Sequence, residues 1–387
     1  MYTTPLTEQA AKMASWRTGM ARRYVFGPFR SEVRSLGLNR PLAPIVHLAA
    51  CAASSATSRG ASSRAAVVRR SEASAPTGAA SADVRFGALA VAAGLTASLT
   101  GGLGFAHHVH CASTADSFVH QLADGRQLCY HVEGSGTPVF AFHGMGSSRL
   151  TWVGSQRLSE VAPGIRLIAV DRPGYGNSSQ PPPGYSYAAF VKDLAELADH
   201  LGHARFCVAG HSSGGPYALA AAALLPERVV ACAAISSDPP YSHPSTPQEV
   251  RMADSMSHPA QMSSGGLYGQ DPMEQTAKYR SKSMASGDAR KCYAWKQGVL
   301  GWLCDFTLER IPWSFALEDI ALGPRLTFWA GEEDFEAISL GACFMQTLVP
   351  GSKLHVVAGG NHGFKSEPVH LASIFKELQV HWQSLER

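Results

Sequence analysis

From about residue 115 the chain alternates short apolar runs with longer stretches whose apolar residues recur at helical spacing. "SFVHQL" and "QLCYHVE", parted by "ADGR", predict a hairpin of two strands. "TPVFAFHG" predicts a third strand and "IRLIAVDRPGYG" a fourth that ends in a Pro/Gly turn. "YSYAAFVKDLAELADHLG" has a helical period and stops at Gly202. "RFCVAG" predicts a fifth strand, Ser212–Leu225 a helix stopped by Pro226, and "RVVACAAIS" a sixth strand. "PRLTFWAG" and "SKLHVVAG" add two more strands with a helix between them over Ala337–Leu348, and a last helix runs near Glu367–Gln383. Apolar strands that alternate with helices imply an α/β fold, its central sheet mostly parallel and covered by helices on both faces.

Residues 239–318 interrupt this alternation after the sixth strand. They read as helices and hold Met252, Met256, Met262, Met273 and Met284, five of the ten methionines. That pattern predicts a helical cap, with ordinary packing or a Met-rich lid over an apolar ligand as the two readings of the methionines.

The first 110 residues follow another rule. They are rich in Ala, Ser and Arg and carry 12 Lys and Arg against 4 Asp and Glu, whereas residues 111–387 carry 21 against 26. The formal charge of +3 for all 387 residues conceals this split. An Arg- and Ser-rich, acid-poor N-terminus has the composition of an organelle transit peptide, plastid or mitochondrial, or of a plain disordered extension. Residues 86–106 carry no charge over 21 positions, long enough to span a bilayer, yet five are Gly and three Ser or Thr. A membrane anchor, part of a targeting signal and a flexible linker all remain open for that run. The chain therefore divides into 1–110, a disordered or targeting region, and 111–387, a folded domain with its helical cap at 239–318. Hydrophobic content of 45% suits a globular core. The basic residues lie outside any recognisable nucleic-acid fold, so a nucleic-acid partner has no support. Eight cysteines form no C-x-x-C pair, and Cys207 and Cys232 sit in strand-like runs as small hydrophobes.

The chemistry gathers where "FCVAGHSSGGPYALAAA" turns from strand to helix. Gly210-His211-Ser212-Ser213-Gly214 fits G-x-S-x-G, a tight turn that lifts one hydroxyl above the sheet edge. The flanking glycines remove Cβ atoms from a sharp bend, and the following helix points its positive end at Ser212. Serine needs a base, and the base needs an orienting acid. Asp334 in "TFWAGEED" and His362 in "HVVAGGNHGF" each follow a strand, at the carboxyl edge where such sheets hold their sites. Glu332 and Glu333 read as a solvated acidic turn, and Asp238, after the sixth strand, is the alternative acid. An oxyanion hole would use the backbone N–H of Ser213 and that of Met145 in "FHGMGSS", with Gly146 next and His143 as a support for the loop.

"FHGMG", "DRPGYGNS", "GHSSGGPYALA", "GEED" and "GGNHGF" resemble the α/β-hydrolase superfamily, in the family's order, over about 117–385. The resemblance implies an α/β-hydrolase fold with a helical cap after the sixth strand, and catalytic roles for Ser212, Asp334 and His362. It implies that Asp171–Gly176 shapes the rim of the pocket without reacting. The expected activity is cleavage of a carboxylic ester by a serine esterase or lipase-like enzyme, with a small apolar ester as substrate and neither metal nor cofactor. A serine at the elbow argues against haloalkane dehalogenase and epoxide hydrolase chemistry, which uses an aspartate there. The same triad also suits C–C or thioester hydrolysis, acyl transfer, or a non-catalytic ligand-binding receptor.

Overall fold

The computed structural model describes residues 117–153, 157–257 and 272–385. The N-terminal extension, where a targeting signal is expected, and the uncharged 86–106 run lie outside the described residues. Among the described residues, no helix is long and apolar enough to cross a membrane.

The strands are β1 Ser117–Gln121, β2 Gln127–Gly134, β3 Thr137–Phe142, β4 Ile165–Val170, β5 Phe206–His211, β6 Val229–Ile235, β7 Leu326–Gly331 and β8 Lys353–Val357. They form one eight-stranded sheet in the order β1-β2-β4-β3-β5-β6-β7-β8. β2 runs antiparallel to both β1 and β4, and from β4 to β8 every neighbouring pair is parallel. The predicted α/β-hydrolase fold, with its mostly parallel sheet, is therefore what the chain adopts.

The apolar runs are continuous because the central strands are covered on both sides. Val139, Phe140, Ala141 and Phe142 of β3 are all 0% exposed. Val139 and Ala141 pack with Leu167, Ala169, Cys207 and Ala209 against Ile374, Phe375 and Leu378 of the C-terminal helix Pro368–Gln383. Phe142, on the alternate phase, meets Phe190 of the helix Tyr187–His200 edge to face, with ring centroids 5.1 Å apart. That helix starts where Ser186 accepts from the N–H of Ala189, a side-chain cap on one of the orphan amides.

Between β6 and β7 the chain leaves the sheet. It forms the helices α1 Gln248–Ser257, α2 Pro272–Ala285, α3 Ala289–Ala294 and α4 Leu300–Arg310. A buried charge joins this insertion to the sheet. Arg172, in the turn after β4, is 1% exposed, and its guanidinium meets both carboxylate oxygens of Asp305 on α4. Tyr175 and Tyr217 also donate to Asp305, at 2.5 and 2.8 Å, so every lone pair of that carboxylate region faces a donor. The Arg172 guanidinium lies 4.4 Å over the Tyr217 ring. A second ion pair, Arg149 with Asp171, closes the same turn from the other side.

Buried pairs contribute little against an apolar replacement, but removing one partner strands the other charge. Asp305→Ala should therefore cost at least about 3 kcal/mol, because Arg172 would be left buried and unpaired. Chemical denaturation of this variant beside the parent measures it, and a loss below about 1 kcal/mol would contradict the anchoring role.

Candidate active site

Ser212 follows the last residue of β5 and has φ of 55°, the left-handed region that side chains rarely enter. The helix predicted over Ser212–Leu225 begins as a tight 3-10 turn, Ser212–Gly214, before the regular helix Gly215–Leu224. The turn is sharp enough that glycine is required around it. A Cβ on Gly210 would lie 2.1 Å from the Gly214 carbonyl oxygen, and one on Gly214 would lie 2.3 Å from the carbonyl oxygen of Phe142.

Three sequence-predicted residues meet at this elbow. His362 Nε2 is 3.0 Å from Ser212 Oγ, and His362 Nδ1 is 2.7 Å from Asp334 Oδ1. A carboxylate can only accept, so Nδ1 carries the proton and Nε2 is left to accept from the serine hydroxyl. The Asp334 side chain has no exposed surface, and its Oδ1 also accepts from the Phe335 N–H at 2.7 Å. Asp238 does not reach Nδ1. Its oxygens accept instead from Ser213 Oγ at 3.4 Å and Tyr241 Oη at 3.3 Å. Burial pushes the Asp238 carboxyl above its ordinary range, with nearby His362 and Arg310 opposing.

The acid and base loops are clamped together by backbone contacts. Gly331, which ends β7, sits where a Cβ would come within 2.2 Å of the Gly360 carbonyl oxygen. Glu333 N–H donates to that same carbonyl, and the Glu332 carboxylate accepts from Gly359 N–H at 3.0 Å. Glu332 thus braces the two loops from within a turn that is partly solvated, as expected, with Glu333 exposed. His211, beside the serine, donates from Nε2 to the His362 carbonyl at 2.8 Å. Burial, then the positive charge of Lys365, holds His211 well below the usual imidazole range and so neutral.

On the opposite side of Ser212 lies the loop after β3. A Cβ on Gly144 would touch the Ser212 Cβ at 3.0 Å, so this loop runs against the serine. His143 is 0% exposed; its Nδ1 bonds the Gly144 carbonyl at 2.8 Å and its Nε2 accepts from Arg172 N–H at 3.1 Å. Burial and the Arg172 charge hold it well below the usual imidazole range. Gly146 N–H donates to Tyr175 Oη at 3.3 Å, which commits that amide, and Met145, the first-named candidate, lines the cavity with Ser212.

A family model for the alpha/beta hydrolase fold matches residues 137–364, more than half of the chain. The chain belongs to the α/β-hydrolase family. Over 93 residues this α/β hydrolase is 39% identical to a non-heme haloperoxidase of Rhodococcus erythropolis, covering 24% of this chain and 34% of that protein. Over 112 residues it is 38% identical to a 2-hydroxymuconate semialdehyde hydrolase of Pseudomonas putida, covering 28% and 39%. The chain spans about a third of the length of the curated relatives it matches. Among solved structures, an esterase from a Rhodococcus species superimposes with a TM-score of 0.52 at 21% identity, covering 70% of this chain and 99% of that one. An epoxide hydrolase from Vigna radiata gives 0.54 at 18%, covering 70% and 98%. At these identities the likeness speaks for the fold.

The α/β hydrolase carries a cavity of about 490 Å³ above the elbow, reached by Ser212, Ser213, Met145 and His362. Its apolar wall is aromatic. Trp295, Trp302 and Phe306 of the insertion cluster with Tyr175 and pack on Met145. Of the two readings of the methionines, the lid finds no support in those described: Met252 and Met284 are 53% and 51% exposed and do not line the cavity, and the side chains of Met256, Met262 and Met273 lie outside the described residues. Aromatic residues fill such a wall with few rotatable bonds, which methionine does not. The Asp171–Gly176 turn does not line the cavity either. It works one layer out, through Arg172 and Tyr175. Phe335, 57% exposed, places its ring centroid 4.9 Å from that of His362 and lines the cavity. Its only sequence signal was its place next to Asp334.

Gly214→Ala should be more disruptive than an ordinary helix-start substitution, because its Cβ would meet two carbonyl oxygens of the β3 end, at 2.3 and 2.6 Å. Thermal melting should fall by at least about 4 °C, with a matching loss of reactivity at Ser212. A variant that melts with the parent would show the elbow to be looser than described.

Proposed function

We propose that this α/β hydrolase is a serine esterase that cleaves carboxylic esters through an acyl-enzyme on Ser212. The observation that carries the reading is the continuous hydrogen-bond path from Ser212 Oγ through His362 to the buried Asp334, with spacings of 3.0 and 2.7 Å. Hydroxyl-to-imidazole contact at this distance is what proton removal during attack requires.

In the proposed reaction the ester carbonyl enters the cavity between Met145 and His362. Ser212 Oγ attacks the carbonyl carbon as its proton passes to His362 Nε2. Asp334 keeps Nδ1–H in place and balances the positive imidazolium. The carbonyl oxygen becomes an oxyanion facing the N–H groups of Ser213 and Met145, which are held fixed before reaction and need no reorganisation. His362 returns the proton to the leaving alcohol, leaving the acyl group on Ser212. It then takes a proton from water as that water attacks the acyl carbon, and returns it to Ser212 Oγ as the acyl–Oγ bond breaks and the acid leaves. The aromatic wall of Trp295, Trp302 and Phe306 suits the apolar part of a small or medium ester.

Labelling with a fluorophosphonate probe tests the activated serine without knowledge of the substrate. The full chain should label, and Ser212→Ala and His362→Ala should not. Turnover of short p-nitrophenyl esters should fall by about 10⁴-fold or more in either variant. A folded parent that takes no label would overturn the hydrolase reading.

A further inference from the structure

The cavity has a second polar region, separate from the serine, histidine and acid just described. Asp238, Asp254, Glu309 and Arg310 line it. Asp238 comes from the loop after β6, Asp254 from α1, and Glu309 with Arg310 from the last turn of α4. Three of them are buried, with Asp254 and Glu309 each 2% exposed and Arg310 6%, and Asp238 is partly exposed.

The bonding among them is uneven. Arg310 Nη2 donates to both oxygens of Asp254, at 3.0 and 3.2 Å, and its guanidinium lies 3.9 Å over the Phe306 ring. Arg310 Nη1 donates to Glu309 Oε2 at 3.2 Å. The other oxygen, Glu309 Oε1, is buried and has no hydrogen-bond partner among the described residues. Asp238 is met by neutral groups alone in its hydrogen bonds, Tyr241 and Ser213. Asp254 and Glu309 thus share the Arg310 guanidinium, and Asp238 feels its charge. Lys282 and Lys291 also line the cavity, but they are exposed and solvated, so they offset little of this charge.

An orphaned carboxyl oxygen in a buried wall costs free energy that a partner would recover. Burial and the facing Asp238 push Glu309 well above the ordinary carboxyl range, with Arg310 and the Ser213 hydroxyl opposing. The neighbouring Tyr187 and Asp305 also face Glu309, and His362 and Asp254 face Asp238. Glu309 Oε1, in the cavity wall, is therefore left for a partner from outside the described residues. Ser213 directly follows Ser212, so the acceptor stands one side chain away from the proposed nucleophile.

We propose that Asp238 and Glu309 form a substrate-binding subsite for a hydrogen-bond donor, so that preferred substrates are esters carrying a hydroxyl or ammonium group a few bonds from the scissile carbonyl. This rests on the esterase reading for the identity of the substrate and narrows it from a wholly apolar ester. A neutral hydroxyl would fill the orphan acceptor as it stands. An ammonium would pair with the Glu309 carboxylate and favour its charged form, the carboxyl proton passing to solvent.

The test separates the subsite from the chemistry. Binding of short esters ending in a hydroxyl, an ammonium or a methyl group is measured by calorimetry on full-length Ser212→Ala, and their kcat/KM on the parent. Both donor-ended esters, or the one whose charge fits, should surpass the methyl-ended ester by about 10-fold or more. Glu309→Leu should abolish that preference. Glu309→Gln, which keeps shape and an amide oxygen, should abolish the preference for ammonium and keep that for hydroxyl. A methyl-ended ester that binds as well as both others, or a preference untouched by either variant, would overturn the subsite. Donor-preferring binding without turnover would uphold the subsite and defeat the esterase reading; turnover with methyl preference would do the reverse.

Discussion

Ser212 holds a backbone conformation, φ of 55°, that costs a residue with a side chain on the order of 1–3 kcal/mol. The rest of the molecule is arranged so that this conformation is the only one that fits. Gly210 and Gly214 let β5 and its helix close tightly, Gly214 presses on the end of β3, and Gly215 packs on Ser237 after β6. The strained residue is thus wedged between three adjacent parallel strands. The strain is useful in one respect: it points the hydroxyl out of the turn toward His362, 3.0 Å away.

The same wedge is braced by buried polar groups that do not themselves react. His143, neutral and fully buried, ties the loop after β3 to Arg172, and Arg172 ties that turn to Asp305 on the insertion. Tyr175 bridges from Asp305 to Gly146 N–H. A displacement of the insertion would therefore be felt at the proposed oxyanion loop through two paths of two hydrogen bonds each. His211 and Glu332 brace the other side, holding the loop that carries His362. Loops positioned by a rigid sheet are the usual mount for such groups, and here the rigidity comes from desolvated donors and acceptors that are nearly all paired.

Much of this was legible in the chain. Strands covered on both faces give unbroken apolar runs, so β3, β5, β6 and β7 stood out, and the helices followed from their period. Ser212, Asp334 and His362 were legible because each follows a strand, and strand ends are brought to one edge by a parallel sheet. The long-range polar partners were not. Asp305 is one of many acidic residues in a helical stretch, and nothing local marks it as the partner of Arg172, 133 residues earlier. The same holds for Glu309, whose chemistry depends on Asp238 across the cavity. The two readings of the methionines could not be separated for a related reason: helical spacing reveals a face, but which face looks inward is set by the docking of α4, whose tryptophan and phenylalanine took the wall.

The most direct measurement is mass spectrometry of the protein quenched during turnover of a p-nitrophenyl ester, followed by mapping of the acylated peptide. The account predicts a transient acyl adduct on the peptide bearing Ser212, one per chain, which decays as product acid appears. Turnover without an adduct at Ser212, or an adduct on another residue, would contradict it.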